Sequence, residues 1–229
     1  MLVEIIWLSA LIALFSLDQK HAFQLALSQP LILCSILGFI TGEFETAIYF
    51  GLFVQLIWLG NLPVGASTTP EGNLASAVGC LLYIQFNENY AQFGQLLLLL
   101  AFLYTIIISF IGGQVDVKTR TFNIRLFDFT VDNIQDDKKA NIGKIILLSL
   151  FIQYLVSFIF IALSNFLGIF LLNQLLPFFS IDLVPFWQYI DLAIIGIGIG
   201  MVMSVYKGRR LKKIILAISI FSLIIFKII

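Results

Sequence analysis

The chain has 229 residues, 60% of them hydrophobic and 11% charged, with 13 Lys and Arg balanced by 13 Asp and Glu. Soluble domains carry roughly 45–50% apolar and about 25% charged residues, so this composition excludes an ordinary water-soluble fold. The zero net charge gives no footing for nucleic acid, and the charges gather between near-continuous apolar stretches, as in an all-α polytopic membrane protein.

The first apolar run, 5–17, follows Glu4 instead of Lys or Arg and precedes no small-residue cleavage site. It reads as a retained membrane segment and not as a signal peptide. Asp18, Lys20 and His21 then form a charged turn at the interface. The second run, 23–42, ends with Gly38 and Gly42, with Ser35 on the same helical face. Small residues four apart let helix backbones approach closely in lipid, and Gly196 and Gly200 repeat the spacing. Cys34 and Cys80 both fall in apolar stretches and read as small hydrophobes, not as a disulfide or a metal site.

Runs 46–60 and 74–86 are too short to cross, since a full span takes about 20 residues at about 1.5 Å each. Between them lies Asn-Leu-Pro-Val-Gly-Ala-Ser-Thr-Thr-Pro-Glu-Gly-Asn, 61–73, whose prolines and glycines break helices. Two short segments around a polar, interrupted loop predict a re-entrant hairpin over 46–86, tolerated where irregular backbone is buried in protein or lines a wet cavity. Gln55 sits in the middle of the first short run. A buried amide needs partners, so it either bonds a neighbouring segment or faces a polar cavity. Glu71, flanked in the loop by Asn61 and Asn73, either serves a function inside the membrane, where a carboxylate costs about 2.5–3.5 kcal/mol, or reaches the headgroups.

Runs 94–113, 145–172 and 187–206 are long enough to span, and a short run, 214–226, follows. Residues 114–144 carry six basic and five acidic side chains and stay outside the hydrocarbon. Their middle, 122–132, alternates with a period of two, so periodicity predicts no helix there. This basic stretch and the cluster Lys207, Arg209, Arg210, Lys212 and Lys213 fall on one face, the cytoplasmic one by the positive-inside rule. Trp58, Trp187 and Tyr206 lie at run ends as interfacial anchors. The chain divides into an N-terminal membrane region, 1–113, a cytoplasmic segment, 114–144, and a C-terminal membrane region, 145–229. The sequence contains no phosphate-cradling glycine loop, metal-ligand spacing or nucleophile elbow, so no catalytic residue, metal or cofactor is assigned.

Gln29-Pro30-Leu31 with Cys34, Gly38 and Gly42, followed by Thr46, Gly51, Gln55-Leu56-Ile57, Leu59-Gly60, Gly65-Ala66, Pro70 and Leu74-Ala75-Ser76, form an ordered set over about fifty residues. This set resembles the IIC component of the mannose, fructose and sorbose family of sugar phosphotransferase permeases. The resemblance implies a multi-pass protein of the bacterial inner membrane that pairs with a IID subunit, alone or as a homo-oligomer. It also implies that a hexose-type sugar is carried inward and phosphorylated by a IIB protein, itself charged by IIA. The chemistry would then belong to IIB, leaving this chain a transport subunit. Sugar hydroxyls need amide and carboxylate partners, so the resemblance implies Gln55, Asn61, Glu71 and Asn73 as substrate contacts.

The chain departs from the family pattern in two places. Residues 23–28 are mostly apolar where family members carry polar, acidic or His residues, and the last run is followed by no further hydrophobic segment. These departures support a rival expectation, a non-transporting scaffold or sensor derived from such a permease.

Overall fold

The computed structural model of the chain describes residues 2–20, 25–58, 70–135, 142–179, 189–205 and 216. Its α-helices are α1 (Leu2–Lys20), α2 (Pro30–Thr41), α3 (Phe44–Trp58), α4 (Gly72–Asn89), α5 (Gly94–Gln135), α6 (Ile142–Leu175) and α7 (Ile190–Val205). No strand occurs among the described residues. His21, Asn61, most of the loop 61–73, the second basic cluster and most of the last apolar run lie outside them.

The second apolar run becomes helical only at Pro30. Ahead of it Ala26 has a φ of 63°, and Gln29 is extended at φ −61°, ψ 139°. Proline disfavours helix in the residue before it, yet suits the first helical position, where no N–H is needed. At the other end Gly42 takes a φ of 84°, the left-handed cap that stops α2 and turns the chain into α3. Gly42 is therefore a terminator and not a packing residue, because a Cβ built on it would meet nothing within 4 Å. Gly38 does pack, against Ala47 of α3.

At about 1.5 Å per residue, α2 is about 18 Å long and α3 about 22 Å, both short of a roughly 30 Å hydrocarbon core. They pair as an antiparallel hairpin, and α3 packs more extensively on α2 than on α4. α4 extends beyond its apolar run at both ends, through Gly72 and Asn73 and through Asn87 to Asn89. From Leu74 to Ile84 it is buried on every side, sheathed by α2, α3, α5 and α6. A helix apolar all round belongs in such a place.

The outer helices have their polar residues inside and their large apolar residues outside. On α6 the buried face is Gln153, Ser157, Ile161, Ser164, Asn165, Gly168 and Leu172. Its opposite stripe, Leu147, Phe151, Leu155, Ile159, Leu163, Leu167 and Phe170, stands exposed, Leu147 by 68%. On α5, Leu103, Ile107 and Phe110 face outward while Thr105 and Ser109 face in. In water this arrangement would be costly; in lipid, small and polar residues mediate helix contacts while leucines meet acyl chains. Two helical stretches, Ala91–Asp132 and Ile142–Phe178, are long and apolar enough to cross a bilayer. The fold is thus an all-α polytopic membrane protein of spanning helices and shorter, discontinuous ones.

Sequence periodicity misses half of α5. The helix runs unbroken for 42 residues, through the stretch whose alternation gave no helical signal. Of that stretch, Thr130 is buried while Phe122, Ile124, Phe127 and Phe129 are exposed, so no apolar face imprints a 3.6 period. Nucleation is complete in the membrane part, and extension costs little per residue. Hydroxyl bonds from Thr121 to the Val117 carbonyl and from Thr130 to the Leu126 carbonyl, with an Asp116–Arg120 ion pair one turn apart, accompany it.

Glycine packing on α7 also falls one register from the expected one. A Cβ at Gly196 or Gly200 would meet nothing within 4 Å, whereas one at Gly198 would lie 2.8 Å from Leu56 Cβ on α3. A tight seam joins α4 and α5, where a Cβ at Gly79 would collide with Thr105 Oγ1 and stand 2.8 Å from Phe50 of α3. Gly79→Val is therefore expected to destabilise the protein by about 1–3 kcal/mol through overpacking. Gly196→Ala, where the added methyl meets open space, should instead gain about 0.8–1 kcal/mol of helix propensity. Thermal unfolding of the two purified variants checks the contrast, and equal melting points would refute the seam.

Candidate functional site

The polar residues flagged by the sequence meet at the start of α2. Asp18, near the end of α1, is only 6% exposed. Its carboxylate accepts the Leu25 N–H at 2.7 Å and the Leu27 N–H at 2.8 Å. These bonds clamp the turn before α2, closed also by the Gln29 N–H on the Ala26 carbonyl at 3.1 Å. Asp18 is thus a buried structural clamp, more than the charged interfacial turn expected of it. The turn presents Ser28 and Gln29 toward α3 and α4.

Gln55, half-buried on α3, reaches the same place. Its Oε1 accepts the Leu31 N–H at 3.3 Å, one of the α2 N–H groups that lacks an intrahelical partner. Its Nε2 donates to Gln29 Oε1 at 3.1 Å. Of the two expectations for this amide, bonding a neighbouring segment is the one observed. Asn73, in the first turn of α4, points Nδ2 at Ser28 Oγ at 3.5 Å. Trp58 lies over Gly72, where any Cβ would strike the indole, so it packs on the start of α4 at the end of its run.

Glu71 sits next to Asn73 in sequence but faces elsewhere. Its N–H donates to the Ser109 carbonyl at 2.8 Å, fastening the start of α4 to α5. It is 4% exposed, so it is enclosed by protein and does not reach headgroup water. It borders a small cavity with Ser16, Asp116, Thr119, Gln153 and Ser157. The cavity measures about 20 Å³, enough for a single water. Gln55 and Asn73 therefore converge on the turn before α2, Glu71 turns toward α1, α5 and α6, and Asn61 lies outside the described residues.

Several polar residues escaped the sequence reading. Ser28 and Gln29 belong to the cluster, and the signal was present: a polar residue just before a proline at a helix mouth. Asp116 faces Glu71's cavity while pairing with Arg120 at i,i+4, within the stretch 114–144 whose charges were expected to lie outside the hydrocarbon. Asp191, in the first turn of α7, accepts Tyr49 OH at 3.4 Å and Gln95 Nε2 at 3.5 Å. It joins α3, α5 and α7 with one side chain, and no short motif announces it. Among the described residues no group of three or more His, Cys, Asp or Glu is arranged to hold a metal ion.

Residues 2–228 match a family model described as the sorbose-specific IIC component of a PTS system. A 61-residue stretch is 41% identical to the PTS sorbose-specific EIIC component of Lacticaseibacillus casei, covering 27% of this chain and 22% of that one. The PTS mannose-specific EIIC component of Escherichia coli K12 is 33% identical over 61 residues, 27% of this chain and 23% of that one. The fructose permease IIC component of Bacillus subtilis 168 is 28% identical over 64 residues, 28% and 24% of the respective chains. Each of these alignments spans less than a quarter of the relative's length. A solved structure described as "Structure of membrane protein" superposes with a TM-score of 0.67 at 21% identity, covering 94% of this chain and 83% of that one. That likeness is one of fold.

Proposed function

The chain belongs to the family of sorbose-specific IIC components of sugar phosphotransferase systems, and on that premise we propose that it is a permease subunit that carries a hexose-type sugar across the bacterial inner membrane. The observation that supports this most directly is the polar cluster of Ser28, Gln29, Gln55 and Asn73 where α2, α3 and α4 meet. Amides donate and accept, and serine hydroxyls do both, which suits a ligand whose every hydroxyl is also donor and acceptor. Gln55, Asn73, Glu71 and Asn61 are proposed as substrate contacts, with Ser28 and Gln29 added. In this reading a IID subunit shares the membrane. A IIB protein receives the sugar on the cytoplasmic side, the side of the basic residues Lys118, Arg120, Arg125 and Lys144. The short α2–α3 hairpin moves against the long helices to expose the cluster alternately.

The test is sugar uptake in membranes holding this chain with its IID, IIB and IIA partners. Gln55→Ala, at equal expression, is expected to lower mannose or sorbose uptake by about tenfold, the cost of one well-made hydrogen-bonding pair. Unchanged uptake overturns the site assignment. Sugar binding without any uptake, in the unmutated chain, overturns the transport reading and favours a scaffold or sensor.

A further inference from the structure

Asp191, in the first turn of α7, uses its two oxygens differently. Oδ1 accepts the Leu192 N–H of its own helix at 3.0 Å. Oδ2 faces the neighbours, accepting Tyr49 OH of α3 at 3.4 Å and Gln95 Nε2 of α5 at 3.5 Å. One oxygen anchored in α7 thus bridges a short helix to a long one. Gln95 lies in the first turn of α5, and Ser109, whose carbonyl holds the start of α4, stands fourteen residues further on, about 21 Å along the axis. The bridge therefore sits at the end of the bundle away from the Gln55 and Asn73 cluster, and away from the basic residues Lys118, Arg120 and Arg125 of α5.

The packing around Asp191 divides the helices into two bodies. α7 packs more extensively on α3 than on α5, and a Cβ at Gly198 would lie 2.8 Å from Leu56 Cβ, so the two backbones approach closely. Tyr49 belongs to that pair, its ring edge-on to Phe53 with centroids 4.6 Å apart. Gln95 belongs to the other body. Among the described residues its bond to Asp191 is the one side-chain hydrogen bond from α7 to α5. Two features make the bridge breakable. Both bonds on Oδ2 are at the long limit of hydrogen bonding, whereas the Asp18 clamp holds its two N–H groups at 2.7 and 2.8 Å. Gln95 Oε1 is buried with no hydrogen-bond partner among the described residues. Turning the amide over gives no relief, because it would set Oε1 against the Asp191 carboxylate. An acceptor left unpaired in one arrangement favours another in which water or a donor reaches it. The bridge holds the helices together while one of its own residues favours their separation.

We propose that Asp191 is a positioning residue for transport, a latch that holds the outer end of α3 and α7 against α5 and releases it once per cycle. The inference rests on the permease reading, in which the α2–α3 hairpin moves against the long helices and the basic end of α5 is cytoplasmic. Asp191 acts through α3, by setting how often the outer side stands open. With the latch lost, the outward-open form gains population and external sugar binds with higher apparent affinity. The closing step that carries the sugar inward slows at the same time.

The experiment measures mannose uptake at equal expression, with the IID, IIB and IIA partners present, alongside hydrogen exchange of the purified full-length chain in lipid nanodiscs. Asp191→Ala is expected to lower KM by about threefold to tenfold and Vmax by about tenfold. Tyr49→Phe, which keeps the ring and removes only the hydroxyl, should shift both in the same direction by about threefold. Asp191→Asn keeps an acceptor for Tyr49 and offers an NH₂ to Gln95 Oε1, so both constants should stay within about twofold of wild type. Exchange should quicken in the first turns of α7 and α5 in Asp191→Ala and Tyr49→Phe, and stay unchanged around Gln55. Vmax lost at an unchanged KM would mark a purely structural tie and overturn the proposal, as would unaltered kinetics in both variants. An unmutated chain that takes up no sugar, yet shows this pattern of exchange, would refute transport while leaving the latch standing; without the pattern the latch falls too.

Discussion

Asp18→Ala is expected to give the largest loss of stability of any single change, and a loss of uptake with it. The carboxylate is 6% exposed and accepts two backbone N–H groups, those of Leu25 and Leu27. Hydrogen bonds to a charged group contribute about 1.5–3 kcal/mol each, and leaving the buried N–H groups unpaired adds its own penalty, so the cost is about 3–5 kcal/mol. A second consequence is geometric. The turn those bonds hold contains Ala26 at a φ of 63°, a conformation an alanine keeps only when its surroundings impose it. Released, the turn relaxes, and Ser28 and Gln29 no longer meet Asn73 and Gln55. Asp18→Asn keeps one acceptor and turns an NH₂ toward the other N–H, so it should fall between alanine and wild type. Thermal unfolding and uptake at equal expression, measured together, check both consequences. A stable Asp18→Ala variant with normal uptake would show that the turn is held by something else.

What the sequence disclosed depended on whether a residue's role is set locally. The membrane, the short helix that carries Gln55 and the long spans of α5 and α6 are visible because run length and composition follow directly from the thickness of hydrocarbon. α2 was legible at its end, through Gly42, but its start at Pro30 needed the proline to be weighed above the apolar residues before it. The helical continuation of α5 was hidden because a helix that buries only scattered residues such as Thr119 and Thr130 leaves no period to read. Gln55 was identifiable as an amide out of place among apolar neighbours. That it would bond Gln29 and the Leu31 N–H depends on α2 folding back beside α3, a separation of more than twenty residues. Asp191 shows the limit most clearly. Its partners Tyr49 and Gln95 lie 142 and 96 residues away, so only the packing of α7 against α3 and α5 brings them together.

Gly112→Leu is expected to abolish uptake at a modest cost in stability, because it acts on the seat of Glu71. A Cβ at this position would stand 3.0 Å from Glu71 Cβ and 3.2 Å from the ring of Phe160. One turn earlier on α5, Ser109 accepts the Glu71 N–H at 2.8 Å, so the start of α4 cannot simply slide away. Two effects oppose each other. A glycine inside a helix forfeits about 0.8–1 kcal/mol relative to alanine, which any side chain recovers. Overpacking costs about 1–3 kcal/mol, and more of it for a larger side chain. For Gly112→Ala the two nearly cancel, since a few tenths of an ångström of give in the Phe160 ring relieves the contact. For Gly112→Leu overpacking wins. The extra carbons must occupy the roughly 20 Å³ cavity shared with Asp116, Gln153 and Ser157, and they displace the Glu71 carboxylate from it. Uptake by the alanine variant should remain within about threefold of wild type, and the leucine variant should transport nothing measurable while still unfolding cooperatively. Wild-type uptake by Gly112→Leu would mean that Glu71 and its cavity serve packing alone, leaving the Gln55 and Asn73 cluster to hold the sugar without it.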